Sequence, residues 1–258
     1  MIIRNDGERE ALIEAGKRLS SVLEALARVV APGVSTEILE NEALRLIKEG
    51  GDTPAFLDYT PEGARRPYPA SLCVSINDEV VHGIPNEAPR TLTSGDIVAL
   101  DLGLIHDGFV VDSALTVPVG KISKTDQELV QATQNALETA IQAARAGNRV
   151  GDISHAIQEA YKGTGFSVVR VLGGHGVGRS VHEEPWIANM GHPGTGPELV
   201  EGMVLALEPI ANAGNASVVL APDGYTYRTK DGSKSAHFEH TIIVTDGDPL
   251  VITRRPSE

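Results

Sequence analysis

The fold of this chain is decided by residues 97–117, IVALDLGLIHDGFVVDSALTV. Two runs of apolar and β-branched residues flank Asp107-Gly108, and Asp-Gly between such runs is a strong signal for a β-hairpin with a two-residue turn. A turn of that kind fixes how the two strands pair: His106 faces Phe109, Gly103 faces Asp112 and Asp101 faces Ala114.

Each predicted strand carries one aspartate, Asp101 in the first and Asp112 in the second, although aspartate is depleted in strands. The register places both side chains on one face, about 7–8 Å apart at Cα. They could be solvent-exposed residues of an edge hairpin, an acid pair that shares one proton, or ligands of a metal ion. Their apolar and small neighbours disfavour exposure, and we favour the metal interpretation.

Composition limits the possible functions. The chain has 258 residues, 41% of them hydrophobic, which is enough for a substantial core. With 22 Lys and Arg against 35 Asp and Glu, its formal charge of −13 disfavours binding to nucleic acid or to anionic membranes. The single cysteine, Cys73, fits a reducing compartment, and neither a signal peptide nor a long apolar run is present. We therefore expect a cytoplasmic protein that does not enter a membrane.

Apolar periodicity predicts two pairs of helices, each followed by strands. The third helix is expected to open with a capping box at residues 125–128, and the Gly- and Pro-rich loop 56–69 is expected to leave Arg65 and Arg66 solvated. The predicted helices cover residues 8–30, 35–50, 125–147 and 152–162, and the strands outside the hairpin cover 70–77, 167–172, 203–209, 216–221 and 240–244.

The second half of the chain repeats the order of elements in the first. SGDIVALD, which ends at Asp101, resembles EGMVLALE, which ends at Glu208. GFVVDSALTV around Asp112 likewise resembles SAHFEHTIIV around Glu239, although chance similarity of apolar strands is an alternative. The repeat predicts one α+β domain spanning residues 1–258, with halves of about 1–120 and 121–258 whose sheets meet at a shared centre. The two halves should superpose about a pseudo-twofold axis around a central antiparallel sheet, with Asp101 over Glu208 and Asp112 over Glu239.

If the halves face each other, four carboxylates point into one cavity, and their repulsion is relieved most simply by two divalent cations. His175, between Gly174 and Gly176, can approach such ions closely, although a histidine in a turn is the alternative. One histidine with four carboxylates favours Mn²⁺, Fe²⁺, Co²⁺ or Zn²⁺, and paired ions of this kind activate water for hydrolysis. His82 and His182 would then be free to bind substrate and to move protons.

Seven ordered motifs resemble those of the methionine aminopeptidases, specifically the short bacterial type I enzymes of the pita-bread fold: VVHGIP, ALDLG, VVDSA, GHGVGR, VHEEP, LEPI and FEHTIIV. Type I also fits the lack of an N-terminal extension and of a large insert between His175 and Glu208. The resemblance implies removal of N-terminal methionine from nascent proteins and peptides whose second residue is small, through a hydroxide that bridges two divalent metal ions. It implies metal ligands at Asp101, Asp112, His175, Glu208 and Glu239, and catalytic roles for His82, His182 and Glu208.

The resemblance also implies a monomer that meets nascent chains at the ribosome exit. No nucleic-acid binding of its own is expected. Its methionine pocket would be lined by His82, His182, Phe56, Tyr59, Tyr68, Cys73 and Tyr225. Phe56 stands where cysteine is usual, Val181 stands where an aromatic residue is usual, and the loop 62–66 is longer. Asn77 and Ser235 match a monovalent-cation site of some relatives.

Two other functions compete with this interpretation. Xaa-Pro peptidases and prolidases share the five ligands, but they usually carry an extra N-terminal domain for which 258 residues leave no room. A non-catalytic binding protein on the same scaffold would be expected to have lost ligands, and all five are present.

Overall fold

A computed structural model describes all residues from 1 to 258. Its helices are α1 (Asp6–Val29), α2 (Thr36–Glu49), α3 (Lys124–Ala143) and α4 (Val150–Ala160). Its strands are β1 (Thr53–Pro54), β2 (Leu72–Ile76), β3 (Glu79–Val81), β4 (Ile97–His106), β5 (Phe109–Pro118), β6 (Ser167–Val168), β7 (Gly173–Gly176), β8 (Glu183–Ala188), β9 (Val204–Leu207), β10 (Ile210–Asn212), β11 (Val218–Leu220), β12 (Tyr227–Thr229), β13 (Ser235–His237), β14 (Glu239–Ile243) and β15 (Leu250–Val251).

The helices begin where a side chain can accept a hydrogen bond from the first turn. The Asn5 side chain accepts from the Glu8 N–H at the start of α1. At α3 the capping box is formed by Ser123 and Asp126, so the expected box at residues 125–128 is wrong. Asp126 closes the box because it reaches back to the Ser123 N–H while its own N–H donates to the Ser123 hydroxyl.

The central hairpin has the predicted register. His106 pairs with Phe109 and Asp101 pairs with Ala114, as the Asp-Gly turn requires. Asp107 and Gly108 both have positive φ, 47° and 79°, which is the backbone conformation of a type I′ turn. The sequence of this turn therefore fixes which residues of β4 and β5 share a face.

Nine strands form one sheet in the order β1-β4-β5-β14-β9-β7-β8, with β2 beside β4 and β15 beside β14. The sheets predicted for the two halves join into one central antiparallel sheet, because β5 pairs directly with β14 through Ala114 and Glu239. All of its strand pairs are antiparallel. Two three-stranded sheets, β13-β10-β6 and β11-β12-β3, complete the α+β architecture, and the predicted fold class is confirmed.

The order β4-β5-β14-β9 is what a twofold axis between β5 and β14 produces, because it relates β4 to β9 and β5 to β14. These are the strands that the sequence repeat matches. Superposition of the two halves stays a prediction.

Two hydrophobic clusters hold the helices against this sheet. One joins α1 and α2 to the first hairpin, with Leu23 and Leu39 packed among side chains such as Leu100. The other joins α3 and α4 to the second half, with Leu137 and Ile242 both buried. Each cluster anchors one pair of the strands that carry the acidic residues.

Several predicted strands are shorter than their apolar runs. The run at residues 167–172 forms only the two-residue strand β6, because its partner β10 is itself short and offers just two paired positions. None of the four helices is long and apolar enough to cross a membrane.

Candidate metal centre and its pocket

The five residues predicted to be metal ligands meet at the middle of the large sheet. Asp101 lies on β4, Asp112 on β5, His175 on β7 and Glu239 on β14, while Glu208 follows the last residue of β9. Ligand atoms of Asp112, His175 and Glu239 all lie within 4.8 Å of one another. An oxygen of Glu208 lies 3.6 Å from His175 Nε2. Strand pairing therefore brings together residues as distant in sequence as Asp101 and Glu239.

Burial makes the carboxylate cluster costly without a cation. Asp101, Asp112 and Glu239 are 8%, 3% and 2% exposed, which excludes the solvent-exposed interpretation. Burial raises the pKa of Asp112 to about 7. Burial, followed by the charges of the other carboxylates, raises the pKa of Asp101, Glu208 and Glu239 well above their ordinary values. All four groups can be ionised together near neutral pH only if positive charge lies among them.

Orphaned oxygen atoms show that the cluster fits divalent cations. Asp101 Oδ1, Asp112 Oδ1 and Glu239 Oε1 are buried and have no hydrogen-bond partner. Three such atoms on converging side chains are costly unless something binds them. Carboxylate oxygens with one imidazole form the donor set that Mn²⁺, Fe²⁺, Co²⁺ and Zn²⁺ accept.

His175 is oriented by its neighbours to present Nε2 to the cluster. Its Nδ1 lies 2.9 Å from the Gly176 carbonyl oxygen, so the proton is assigned to Nδ1 and Nε2 keeps its lone pair. Burial lowers the pKa of His175 to about 3, which keeps the ring neutral. A Cβ on Gly174 would overlap the Ala206 carbonyl oxygen, so glycine is needed for β7 to approach β9.

His82 and His182 lie outside the ligand cluster but line the same cavity. His82 has a positive φ of 58°, an uncommon conformation for a non-glycine residue and one that often marks a functional site. Burial lowers the pKa of His82 to about 4 and also lowers the pKa of His182. His182 Nδ1 shares a hydrogen bond of 3.0 Å with the Tyr59 hydroxyl.

The remaining wall of the cavity is mostly apolar and aromatic. Pro61 and Val181 line it, together with the five predicted pocket residues other than the two histidines: Phe56, Tyr59, Tyr68, Cys73 and Tyr225. Cys73 lies opposite Asp101 across β2 and β4, and burial raises the pKa of its thiol well above the ordinary value. Cys73 is therefore a neutral wall residue.

The loop over the pocket is tied to its surroundings. The Tyr68 and Tyr225 rings meet edge to face, with centroids 5.1 Å apart. The Tyr225 hydroxyl donates to the Arg66 carbonyl oxygen, and the Arg66 guanidinium pairs with Glu87. Arg66 therefore holds the loop in place through its contacts with Tyr225 and Glu87, and the expectation that its side chain is only solvated is wrong.

His237 was missed by the sequence reasoning. It is 1% exposed, and its Nε2 lies 3.5 Å from Glu208 Oε2. Burial lowers its pKa to about 3. The signal was available, because in SAHFEHT it precedes Glu239 by two residues, the spacing that puts strand residues on one face.

Asn77 and Ser235, the predicted monovalent-cation residues, are neighbours in the fold. The Ser235 N–H donates to the Asn77 carbonyl oxygen over 2.8 Å, and the Ser235 hydroxyl donates to Ala211. The Asn77 carbonyl oxygen and the Ser235 hydroxyl, which would face such a cation, therefore each take part in a hydrogen bond within the protein.

Comparison with known proteins places this geometry in a family. The sequence pattern of metallopeptidase family M24 matches residues 10–246. The chain belongs to metallopeptidase family M24. Among M24 proteins it is 45% identical to the methionine aminopeptidase of Aquifex aeolicus over 250 residues, 95% of this chain and 96% of that protein. It is 43% identical to methionine aminopeptidase 1 of Mycobacterium tuberculosis, covering 97% of this chain and 94% of that one.

Solved structures also resemble this chain. The methionine aminopeptidase from Thermotoga maritima superposes with a TM-score of 0.93 at 41% identity, covering 99% of this chain and all of that one (100%). The Xaa-Pro dipeptidase from Bacillus anthracis has a TM-score of 0.77 at 24% identity, and this chain spans 63% of its length. The second likeness shows the fold alone. The resemblance to the methionine aminopeptidases and the pita-bread fold are confirmed.

Proposed function

We propose that this M24 metallopeptidase removes N-terminal methionine from proteins and peptides whose second residue is small. The observation that carries the proposal is the position of the carboxylate and histidine cluster at the base of a cavity whose walls are aromatic and apolar. A hydrolytic centre beside a pocket of this kind suits a substrate with an apolar side chain next to the scissile bond. The methionine aminopeptidase names of the relatives support the same substrate.

In this proposal two divalent ions are held by the five cluster residues: Asp101, Asp112, His175, Glu208 and Glu239. When bound, such ions make water a nucleophile near neutral pH and stabilise the oxyanion of the tetrahedral intermediate. The oxygen-rich donor set leaves Co²⁺, Mn²⁺, Fe²⁺ and Zn²⁺ as candidates. A monovalent cation at Asn77 and Ser235 would be an additional stabilising ligand of the fold.

The proton is moved by Glu208 in this mechanism. Its carboxylate is 13% exposed at the cavity, and burial, followed by the charges of Asp101 and Asp112, raises its pKa in the metal-free protein. One oxygen can remain a ligand while the other takes the proton of the attacking water and passes it to the leaving amine. Glu208 is therefore assigned both tasks.

The two histidines of the cavity position the peptide. Both rings are neutral at pH 7, so each offers one N–H and one acceptor nitrogen. The hydrogen bond to Tyr59 occupies Nδ1 of His182 and leaves Nε2 for the substrate. His82 and His182 are assigned to hydrogen bonds with the peptide backbone near the scissile bond.

The methionine side chain is assigned to the aromatic part of the cavity. Thioether sulfur contacts aromatic edges favourably, and Phe56, Tyr68 and Tyr225 present rings there. Phe56 packs against Gly103, where a Cβ would overlap the ring. The bulk of Phe56 is therefore expected to set the depth of the pocket.

We further propose that the enzyme acts as a monomeric single domain in the cytoplasm, where nascent chains emerge. Its formal charge of −13 makes direct binding to ribosomal RNA unfavourable, so any association at the ribosome exit would be through protein.

The test is peptide hydrolysis by the purified protein loaded separately with Mn²⁺, Co²⁺ and Fe²⁺. We expect free methionine from Met-Ala-Ser, much less from Met-Leu-Ser, and no cleavage of Ala-Pro-Ser, with His175→Ala as the inactive control. Faster cleavage of Ala-Pro-Ser would establish the Xaa-Pro peptidase alternative. A protein that binds the metals and cleaves none of the peptides would be a binding protein on this fold.

A further inference from the structure

The ring of His237 is the buried polar group that the proposed mechanism leaves unexplained. It is 1% exposed, and neither Nδ1 nor Nε2 has a hydrogen-bond partner. The other buried histidines differ in this respect, since His175 Nδ1 bonds to Gly176 and His240 Nδ1 bonds to Thr253. A neutral imidazole always carries one N–H, and leaving it unpaired in the interior costs free energy.

The backbone of His237 is held firmly in place. Its N–H donates to the Thr116 hydroxyl over 2.9 Å, and its carbonyl oxygen accepts from the same hydroxyl over 2.8 Å. It also pairs with Ile210 across β10 and β13. The ring therefore projects from a fixed point, and its orientation toward the cluster is set by the sheet.

Glu208 lies between two imidazole rings. Its Oε1 faces His175 Nε2 at 3.6 Å, and its Oε2 faces His237 Nε2 at 3.5 Å. On the first side His175 presents a lone pair, because its proton is engaged at Nδ1, so that side suits a shared cation. On the second side His237 Nε2 has no hydrogen-bond partner of its own, and a hydrogen-bond donor suits the carboxylate oxygen there.

We propose that His237 is a positioning residue: when metal is bound, its Nε2–H closes the 3.5 Å separation from Glu208 Oε2 into a hydrogen bond and thereby fixes which oxygen of that carboxylate faces the metal. The inference rests on the metal-binding part of the proposed function. His237 is not among the residues that line the substrate cavity, so it acts through Glu208 and not on the peptide. Carboxylate ligands are commonly oriented by hydrogen bonds from a second layer of residues.

The experiment compares metal binding to the metal-free protein by calorimetric titration with Mn²⁺. Loss of a residue that orients a ligand typically weakens metal binding roughly 10- to 100-fold, and we expect that for His237→Leu. His237→Gln keeps an N–H donor of similar reach. Its Mn²⁺ affinity should therefore stay within about threefold of the parent, a smaller change than the loss expected without a donor. His155→Gln, at a half-buried position on α4 outside the cavity, is the matched control and should leave Mn²⁺ affinity unchanged.

His237→Asn supplies a second comparison that does not depend on the leucine variant folding. Its amide can donate but is one carbon shorter than that of glutamine, so it should bind Mn²⁺ as weakly as the leucine variant. Thermal unfolding of each metal-free variant separates a loss of fold from a loss of the hydrogen bond. Steady-state kinetics at saturating Mn²⁺ should show a lower kcat with little change in KM.

Parent-like Mn²⁺ affinity in the folded leucine variant would overturn the proposal. So would equal weakening in the glutamine, asparagine and leucine variants, because that pattern indicates packing and not hydrogen bonding. The titration needs no peptide, so it is independent of the substrate. A parent protein that binds Mn²⁺ but cleaves no methionyl peptide would refute the proposed activity and leave the role of His237 standing.

Discussion

Metal binding should depend steeply on pH, because the carboxylates must lose protons that the metal-free fold makes them keep. Burial raises the pKa of Asp112 to about 7, so this residue is protonated in the metal-free protein below that pH. A divalent ion binds the carboxylate and not the acid, so binding competes with one proton at Asp112. Between pH 7 and pH 5 this competition alone should lower Mn²⁺ affinity roughly 50-fold, and the fall approaches a factor of about ten per pH unit below pH 6.

The raised pKa values of Asp101, Glu208 and Glu239 make the slope at least as steep. The assay is calorimetric titration with Mn²⁺ at pH 5, 6, 7 and 8, each in two buffers of different ionisation enthalpy, so that released protons are counted directly. Between pH 5 and 7 one proton or more should be released per protein. Affinity that is constant over this range, with no proton release, would refute the assignment of these carboxylates as ligands.

The raised pKa values of these carboxyl groups also determine whether the free energy of unfolding rises or falls with pH. A carboxyl group whose folded pKa lies above its unfolded value binds protons more tightly in the folded state. The metal-free protein should therefore lose stability as pH rises from about 4 to 7, by up to ~1.4 kcal/mol per pH unit for each such group. Added Mn²⁺ should remove the loss, and chemical unfolding at pH 5 and pH 7 with and without the ion measures both effects.

Three substitutions test individual residues. Glu208→Gln keeps one ligand oxygen but cannot accept a proton, so kcat should fall at least roughly 100-fold while Mn²⁺ binding weakens modestly. Near-full turnover at saturating Mn²⁺ would mean that His182, and not Glu208, moves the proton. Tyr59→Phe removes the hydrogen bond to His182 and should lower kcat/KM for Met-Ala-Ser by roughly 2- to 10-fold, with unchanged Mn²⁺ affinity by calorimetry. Gly103→Ala would push the Phe56 ring toward the cavity, so KM for the same peptide should rise more than kcat falls; unchanged KM would argue against Phe56 setting the depth of the pocket.

The central part of the fold could be predicted because local and long-range signals coincide there. Asp107-Gly108 demands a type I′ turn, and that turn alone sets the register of β4 and β5. The internal repeat then predicted partners for both aspartates in the second half of the chain. The structure brings those four carboxylates and His175 together around one centre.

Other features could not be predicted because they depend on which neighbours the fold supplies. The start of α3 is decided by Ser123, whose side chain reaches Asp126, and local sequence offers Thr125 as an equal candidate. The apolar run 167–172 has strand propensity, but it forms only two paired positions because β10 is short. Arg66 has a partner in Glu87, which is 21 residues away, and no local pattern indicates that pair.

His237 was overlooked for a different reason. The repeat aligns SAHFEHTIIV with the β5 segment, where Val110 occupies the position that matches His237, so the repeat predicts a shared acid at Glu239 but no polar residue at His237. Duplicated halves indicate a shared site, and their differences indicate how the two sides of that site have diverged.

The measurement that tests the central claim most directly is anomalous X-ray diffraction from crystals soaked in Mn²⁺. We expect two anomalous peaks, about 3.5–4 Å apart, among Asp101, Asp112, Glu208, Glu239 and His175, as in other paired-metal hydrolases. A crystal with no peak among these residues, or with its strongest peak elsewhere on the protein, would contradict the account.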